Sequence, residues 1–267
     1  VVGSLTASLS RATSDAIKFE REFIKLAQVF DVNVKSLDRL SQSISGLSRE
    51  FGLSANVIAK TSVILAQSGL TAKQTEQAMR TLAKTTLAAT FDSIASSTEG
   101  AVAIMAQFGT EASKLETQLG AINAVSKKFA VESEDLISVI RRAGGVFSVA
   151  AGQFRDPVDS LNELIGIFTA VRSTTRESAD TIAVGLRTIF TRIQRGQTIN
   201  FLKQYNIELL DMEGQFVGTY EAFRRLSAGL KQIPTRSSEF ATPVYNCNDI
   251  LRSIRAKLWA HAPYIDR

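Results

Sequence analysis

The stretch Leu65-Ala66-Gln67-Ser68-Gly69-Leu70-Thr71-Ala72-Lys73-Gln74 decides the fold. Gly69 can take the left-handed conformation that closes a helix C-terminus. Thr71 and Gln74 have the spacing of a capping box, in which each side chain satisfies an amide that the next helix leaves orphaned. Two helices joined by so short a turn run antiparallel. The helix before the turn is expected over Ala55–Ser68, with Ile58, Thr61, Ile64 and Leu65 inward, Ser54 as its N-cap and Gly52 as the stop of the helix before that.

Working upstream, Ala16, Phe19, Phe23, Leu26 and Phe30 recur at spacings of three and four, which places them on one helical stripe. Lys18, Glu20, Arg21, Glu22 and Lys25 are expected on the opposite face. After a pause at Asp31–Val34 the pattern resumes as Leu37, Leu40, Ile44, Leu47 and Phe51. Two heptads per helix fall short of the three to four that argue for a coiled coil, so a helical hairpin is the better reading.

Downstream, Thr85–Phe108 carries few charges, chiefly Asp92 and Glu99, and reads as closely packed helical pieces. A helix is expected over Glu111–Phe129, and Glu132, Glu134 and Asp135 load the first turn of the next one with the charge that the helix dipole favours. Ala143–Phe154 has no charge and contains Gly144, Gly145 and Gly152. Small residues let backbones approach closely, so the segment reads either as a tight helix crossing or as a lipid-seeking or switching element. At twelve residues it is too short to span a bilayer as a straight helix.

Asp156-Pro157-Val158-Asp159 starts another helix, with Leu161, Leu164, Phe168 and Val171 buried. Thr174–Glu177 again has capping-box spacing, and the helix that follows puts Ile182, Leu186, Ile189, Phe190 and Ile193 inward. Arg187, Arg192 and Arg195 lie off that stripe, with Arg176 near its start. A basic face without interleaved aromatics is weak evidence for nucleic acid. Ile207–Leu210, a turn at Asp211–Gly214 and Gln215–Val217 read as a small two-stranded hairpin, followed by a helix over Tyr220–Leu230 that ends near Pro234. Phe51-Gly-Leu-Ser54 and Phe129-Ala-Val-Glu132 form a weak internal echo, each followed by a helix and then a small-residue turn, near Gly69 and near Gly144–Gly145. The fold expected is therefore all-α, a multi-helix array of antiparallel hairpins with one small β-hairpin near 207–217.

Composition sets the outer bounds. All four prolines lie at or beyond Pro157, so the first 156 residues hold no hard helix breaker. Cys247 alone cannot make an intramolecular disulfide, and His261 alone leaves little scope for zinc or a histidine dyad. The net charge of +5, with an isoelectric point near 9.4, is dispersed among acids, which suits solvated helix faces. No signal peptide and no run of about 18 apolar residues is present. The organisation expected is a segment of a longer chain over 1–15, a helical core over 16–235 and an atypical, poorly packed tail over 236–267, where the only Cys, Trp and His gather.

No catalytic constellation emerges. GxxxxGK[ST] is missing, HExxH is impossible with one histidine, and Gly144–Gly145 follows no strand. The carboxylates at Glu132, Glu134 and Asp135 are accounted for by helix starts. The expectation is no catalytic, cofactor or metal site, and no enzyme.

Three ordered segments resemble the core region of the phage tail tape measure family. Leu47–Asn56 continued by Leu65–Thr71 is similar to a helix ending in an FG-type turn and then an LAQxG turn. Ala179–Ile193 resembles the helix in which a small residue precedes LR or LK, an apolar residue and an arginine. Tyr205–Gly214 resembles the short hairpin, with the helix Tyr220–Leu230 behind it. The likeness runs from about Ala16 to Pro234 and stops before the tail.

The resemblance implies a long helical protein of the virion tail, assembled in the host cytoplasm, that sets tail length and takes part in genome delivery. It also implies contacts with tail tube proteins, tail-tip proteins and assembly chaperones, and a homo-oligomer inside the tail. Contact with the host envelope during ejection follows from the same likeness, and the rival reading is a membrane-active helical module drawing on Thr85–Phe108 and Ala143–Phe154. No specific nucleic-acid binding is expected.

Overall fold

A computed structural model of the chain describes residues 2–151 and 156–229. The described part is mostly helical, with eleven α-helices: α1 (Val2–Phe30), α2 (Asp38–Phe51), α3 (Ala55–Gln67), α4 (Ala72–Thr85), α5 (Ile94–Phe108), α6 (Leu115–Lys128), α7 (Ser133–Ala151), α8 (Pro157–Thr175), α9 (Ala179–Ile193), α10 (Gly196–Lys203) and α11 (Thr219–Gly229). Short 3-10 turns precede α2 and α6. The expected tail, with Cys247 and His261, lies outside the described residues.

The described residues form two compact units, one of those up to Ala106 with Glu111–Gly120, the other of Gln107–Thr110 with those described from Ala121 to Gly229. In the first unit α1 packs most extensively on α3. Leu26, Ile44, Leu47, Ile58, Leu65, Met79 and Leu82 fill the core. The helix boundaries follow from local chemistry. Gly52 closes α2 at φ 67°, and Thr71 and Gln74 form the full capping box at the start of α4. The turn between α3 and α4 reverses the chain, which brings Ser62 against Met79. Ser54 holds the N-cap position of α3 without a side-chain bond. One expectation shifts here: Glu22 lies on the buried side of α1, 8% exposed, bonded to Lys25 Nζ at 2.9 Å.

The second unit is organised around α7, α8 and α9. Asp156 accepts from Val158 N at 2.7 Å with Pro157 behind it, as the sequence indicates. In its second half α8 is buried almost all round, from Leu164 to Val171, so it is the central helix of the unit. It runs antiparallel to α7, because Arg172 near its C-terminus meets Asp135 in the first turn of α7. The most extensive pairing, however, is parallel. Ser138 and Arg142 meet Asp180, Phe147 packs edge-on to Phe190 with ring centroids 5.0 Å apart, and Ala150 O accepts from Gln194, so α7 and α9 run side by side in one direction. An array made only of antiparallel hairpins is thus corrected to one in which helices two apart in sequence also pack in parallel.

Three further expectations are corrected. The hairpin over 207–217 does not form: no strand occurs among the described residues, and a single antiparallel bridge links Leu210 to Phe216. Left-handed residues, Asn206 at φ 58° and Gly218 at φ 87°, cut both arms short. Arg225 Nη1 donates to the Glu208 and Leu210 carbonyls, which point away from the Phe216 arm. Ile207 and Leu209 join Ile193, Leu202, Ala222 and Leu226 in a local core.

The capping box at Thr174–Glu177 is also not formed. α8 continues through Thr175, Arg176 closes it at φ 60°, and Ser178 caps α9 by accepting from Thr181 N at 3.2 Å. Finally, Gly144 and Gly145 lie inside α7 and make no turn, so the internal echo ends at the first junction.

Candidate interaction surfaces and the polar ties between helices

Of the carboxylates that the sequence places in the first turn of α7, Asp135 is engaged with an arginine of a neighbouring helix. Asp135 Oδ2 accepts from Arg172 Nε at 3.2 Å, a half-buried pair. The same guanidinium donates through Nη1 to the carbonyls of Arg176 at 2.9 Å and of Glu177, satisfying groups that the end of α8 leaves open. Asp180 accepts from Arg142 Nη2 at 2.9 Å and Ser138 Oγ at 2.8 Å. Within the first unit, Arg39–Glu76 and Arg80–Glu50, each at 3.4 Å, tie α2 to α4. These charges hold helices in register. Glu132 is exposed, and among the described residues no group of three His, Cys, Asp or Glu could hold a metal ion.

Glu221 anchors the last described helix. It accepts from Arg224 Nε and Nη2 at 2.6 and 2.7 Å, and from Arg225 Nε at 2.8 Å. The Arg224 hydrogen bond leads in holding its carboxyl down to about 2; burial opposes the shift and the Arg225 bond adds to it. Through Arg225, α11 is bonded to the loop carbonyls of Glu208 and Leu210. That loop ends in a self-braced turn, where Asp211 Oδ1 accepts from Glu213 N and Gln215 N. Met212 stands fully exposed at its tip.

The two weakly charged segments are placed differently from each other along their lengths. In Ala143–Ala151, Ala143, Gly144, Phe147, Ala150 and Ala151 are buried, and Val149 alone is a large exposed apolar side chain at 77%. A Cβ on Gly144 would stand 2.9 Å from Phe108 Cε2 and against Gln107 Oε1, which makes this glycine the point of a close helix approach. On Gly145 the nearest atom would be 3.8 Å away. Gly152 and Phe154 lie outside the described residues. In Thr85–Phe108, Ile94, Ile104 and Phe108 are buried while Leu87 is exposed. No helix among the described residues is long and apolar enough to cross a membrane.

Arg187, Arg192 and Arg195 are exposed on the solvent side of α9 and its end, opposite the buried Ile182, Leu186, Phe190 and Ile193. Among the described residues no carboxylate pairs with any of the three. The sequence signal for these arginines was their position off the apolar stripe. On the next helix, α10, Phe201 is exposed and packs edge-on against Tyr205 with ring centroids 5.4 Å apart.

The described chain is thus a set of helices tied by arginine–carboxylate pairs around cores of aliphatic and small residues. The chain belongs to the phage-related minor tail protein family, whose model matches residues 41–242. It therefore has a structural role in the phage tail, where it interacts with other tail components. No solved structure matches the chain.

Proposed function

We propose that this chain is the helical core of a tape measure protein, a non-catalytic component that acts in tail assembly, sets tail length and takes part in genome delivery. The observation that carries this reading is the order of its three characteristic segments within the matched span. Leu47–Thr71 falls on α2, α3 and the turn to α4, Ala179–Ile193 on α9, and Tyr205–Gly214 on the loop that Arg225 braces. The hairpin fails as a strand pair, yet its turn persists as a rigid feature in the same place.

Its partners on this reading are tail tube and tail-tip proteins and the assembly chaperones, with several copies inside one tail. Mass spectrometry of purified tails tests it. The account expects peptides from this chain at a few copies per tail and no peptidoglycan clearing by the chain in a zymogram. Absence from purified tails, or a clear lytic band, would overturn it.

A further inference from the structure

Beyond Asp180 the charges along α9 and α10 are all of one sign. Thr181–Ile207 contains Arg187, Arg192, Arg195 and Lys203 and no acidic residue, although the chain has 26 acids in 267 residues. Lys203 lies 3.9 Å from Glu208, a loose exposed pair, while the three arginines have no carboxylate partner among the described residues. Thr188 and Thr191 donate their hydroxyls back to Val184 O and Arg187 O, which leaves the guanidiniums as the principal donors of this face. Gln197, Asn200 and Phe201 are exposed side chains that follow on α10.

We propose that this face is a docking surface for the phosphate backbone of nucleic acid, bound without regard to base sequence. Charge complementarity selects an anion, and the chemistry between the charges selects which kind. A protein partner needs a water-excluded apolar centre, and α9 offers only Val184, which precedes the first arginine. An anionic lipid surface favours apolar side chains interleaved with the cations, whereas threonine, glutamine and asparagine stand between these. Nucleic-acid interfaces are the more polar and more strongly cationic kind. Arg187 and Arg192 lie on α9 and Arg195 two residues past its end; at the helical rise of about 1.5 Å per residue the three reach over roughly 12 Å, enough to meet about three phosphates of one strand. Guanidinium binds phosphate in a bidentate manner.

The test is fluorescence anisotropy of a short labelled DNA duplex of mixed sequence, titrated with the full chain across salt concentrations. Three neutralised phosphates predict a log–log salt slope of about −2.7, hence a loss of about 40-fold between 50 and 200 mM salt. The triple variant Arg187→Gln, Arg192→Gln, Arg195→Gln should weaken binding at least about tenfold at low salt and flatten the slope. An equal change in net charge at the exposed Lys60, Lys73 and Lys127, each to Gln, should leave both unchanged. If the arginine triple melts early, the single Arg192→Gln carries the test, with the slope reduced by about one. No duplex binding at low salt, equal losses in the two triple variants, or arginine-dependent binding of anionic vesicles or polyglutamate that the duplex fails to displace would each overturn the proposal.

Discussion

Arg142 Nη2 donates to Asp180 Oδ2 at 2.9 Å while Ser138 Oγ donates to Oδ1 of the same carboxylate at 2.8 Å, so the first turn of α9 is clamped to the middle of α7. The two charged side chains are about half exposed, 50% and 57%, and solvent screens such a pair. Asp180→Ala and Arg142→Ala are each expected to cost about 1 kcal/mol, with a coupling of about 0.5 kcal/mol in the double-mutant cycle. Thermal or denaturant melts of the four proteins provide the measurement, and additive losses would show that the pair does not act as a clamp.

Gly144 and Gly145 are neighbours in sequence and opposites in packing. Gly144→Ala places a methyl against the Phe108 ring and the Gln107 amide, and overpacking of this kind costs about 1–3 kcal/mol, more than the gain of about 1 kcal/mol in helix propensity. Gly145→Ala meets only ordinary contacts and should be neutral or stabilise by up to about 1 kcal/mol. Opposite shifts in melting temperature are therefore expected from the two substitutions, and identical shifts would refute the close approach.

Glu221 links stability to pH. Its carboxyl is lowered from 4.5 to about 2 in the folded chain, so its contribution is fully present above the unfolded value and disappears as pH falls from about 4.5 to about 2. Glu221→Gln should destabilise by about 1 kcal/mol at neutral pH after solvent screening is allowed for. The difference between variant and parent should shrink from about pH 4.5 and close only near pH 2. Urea melts at several pH values read this out; a difference that persists at the acid end would point to lost packing rather than to the arginine fork.

The membrane-active alternative makes a separate prediction. Phe147, Ala150, Ile104 and Phe108 are buried, and insertion would require them to leave the core. The full chain is expected to release no dye from anionic vesicles at neutral or acidic pH. Leakage that follows protein concentration would favour the alternative.

What the sequence made legible was local. Gly52, Gly69, the Thr71–Gln74 box and the Asp156–Pro157 start are each determined within one helical turn, and each is where its chemistry placed it. The pairing of α7 with α9 was not legible, because Arg142–Asp180 and Gln194–Ala150 join residues about 40 apart and no short pattern distinguishes them from other surface polar groups. At 207–217 the apolar alternation was real, but it reflects Ile207 and Leu209 packing into a helical core. Thr174–Glu177 failed because Ser178, one residue further on, competes for the same role and takes it. The arginine face of α9 was visible as a stripe, whereas its lack of a carboxylate partner among the described residues needed the three-dimensional arrangement.

The most direct measurement of the central claim is tail length in the parent phage after in-frame duplication of the coding segment for α7–α9, Ser133–Ile193, within the full gene. Duplicating a unit that packs chiefly on itself should give complete tails of uniform and greater length by electron microscopy, and a second duplication should lengthen them by the same increment. An upper bound per copy follows from about 1.5 Å of rise per helical residue. Complete tails of parental length would contradict the tape measure reading.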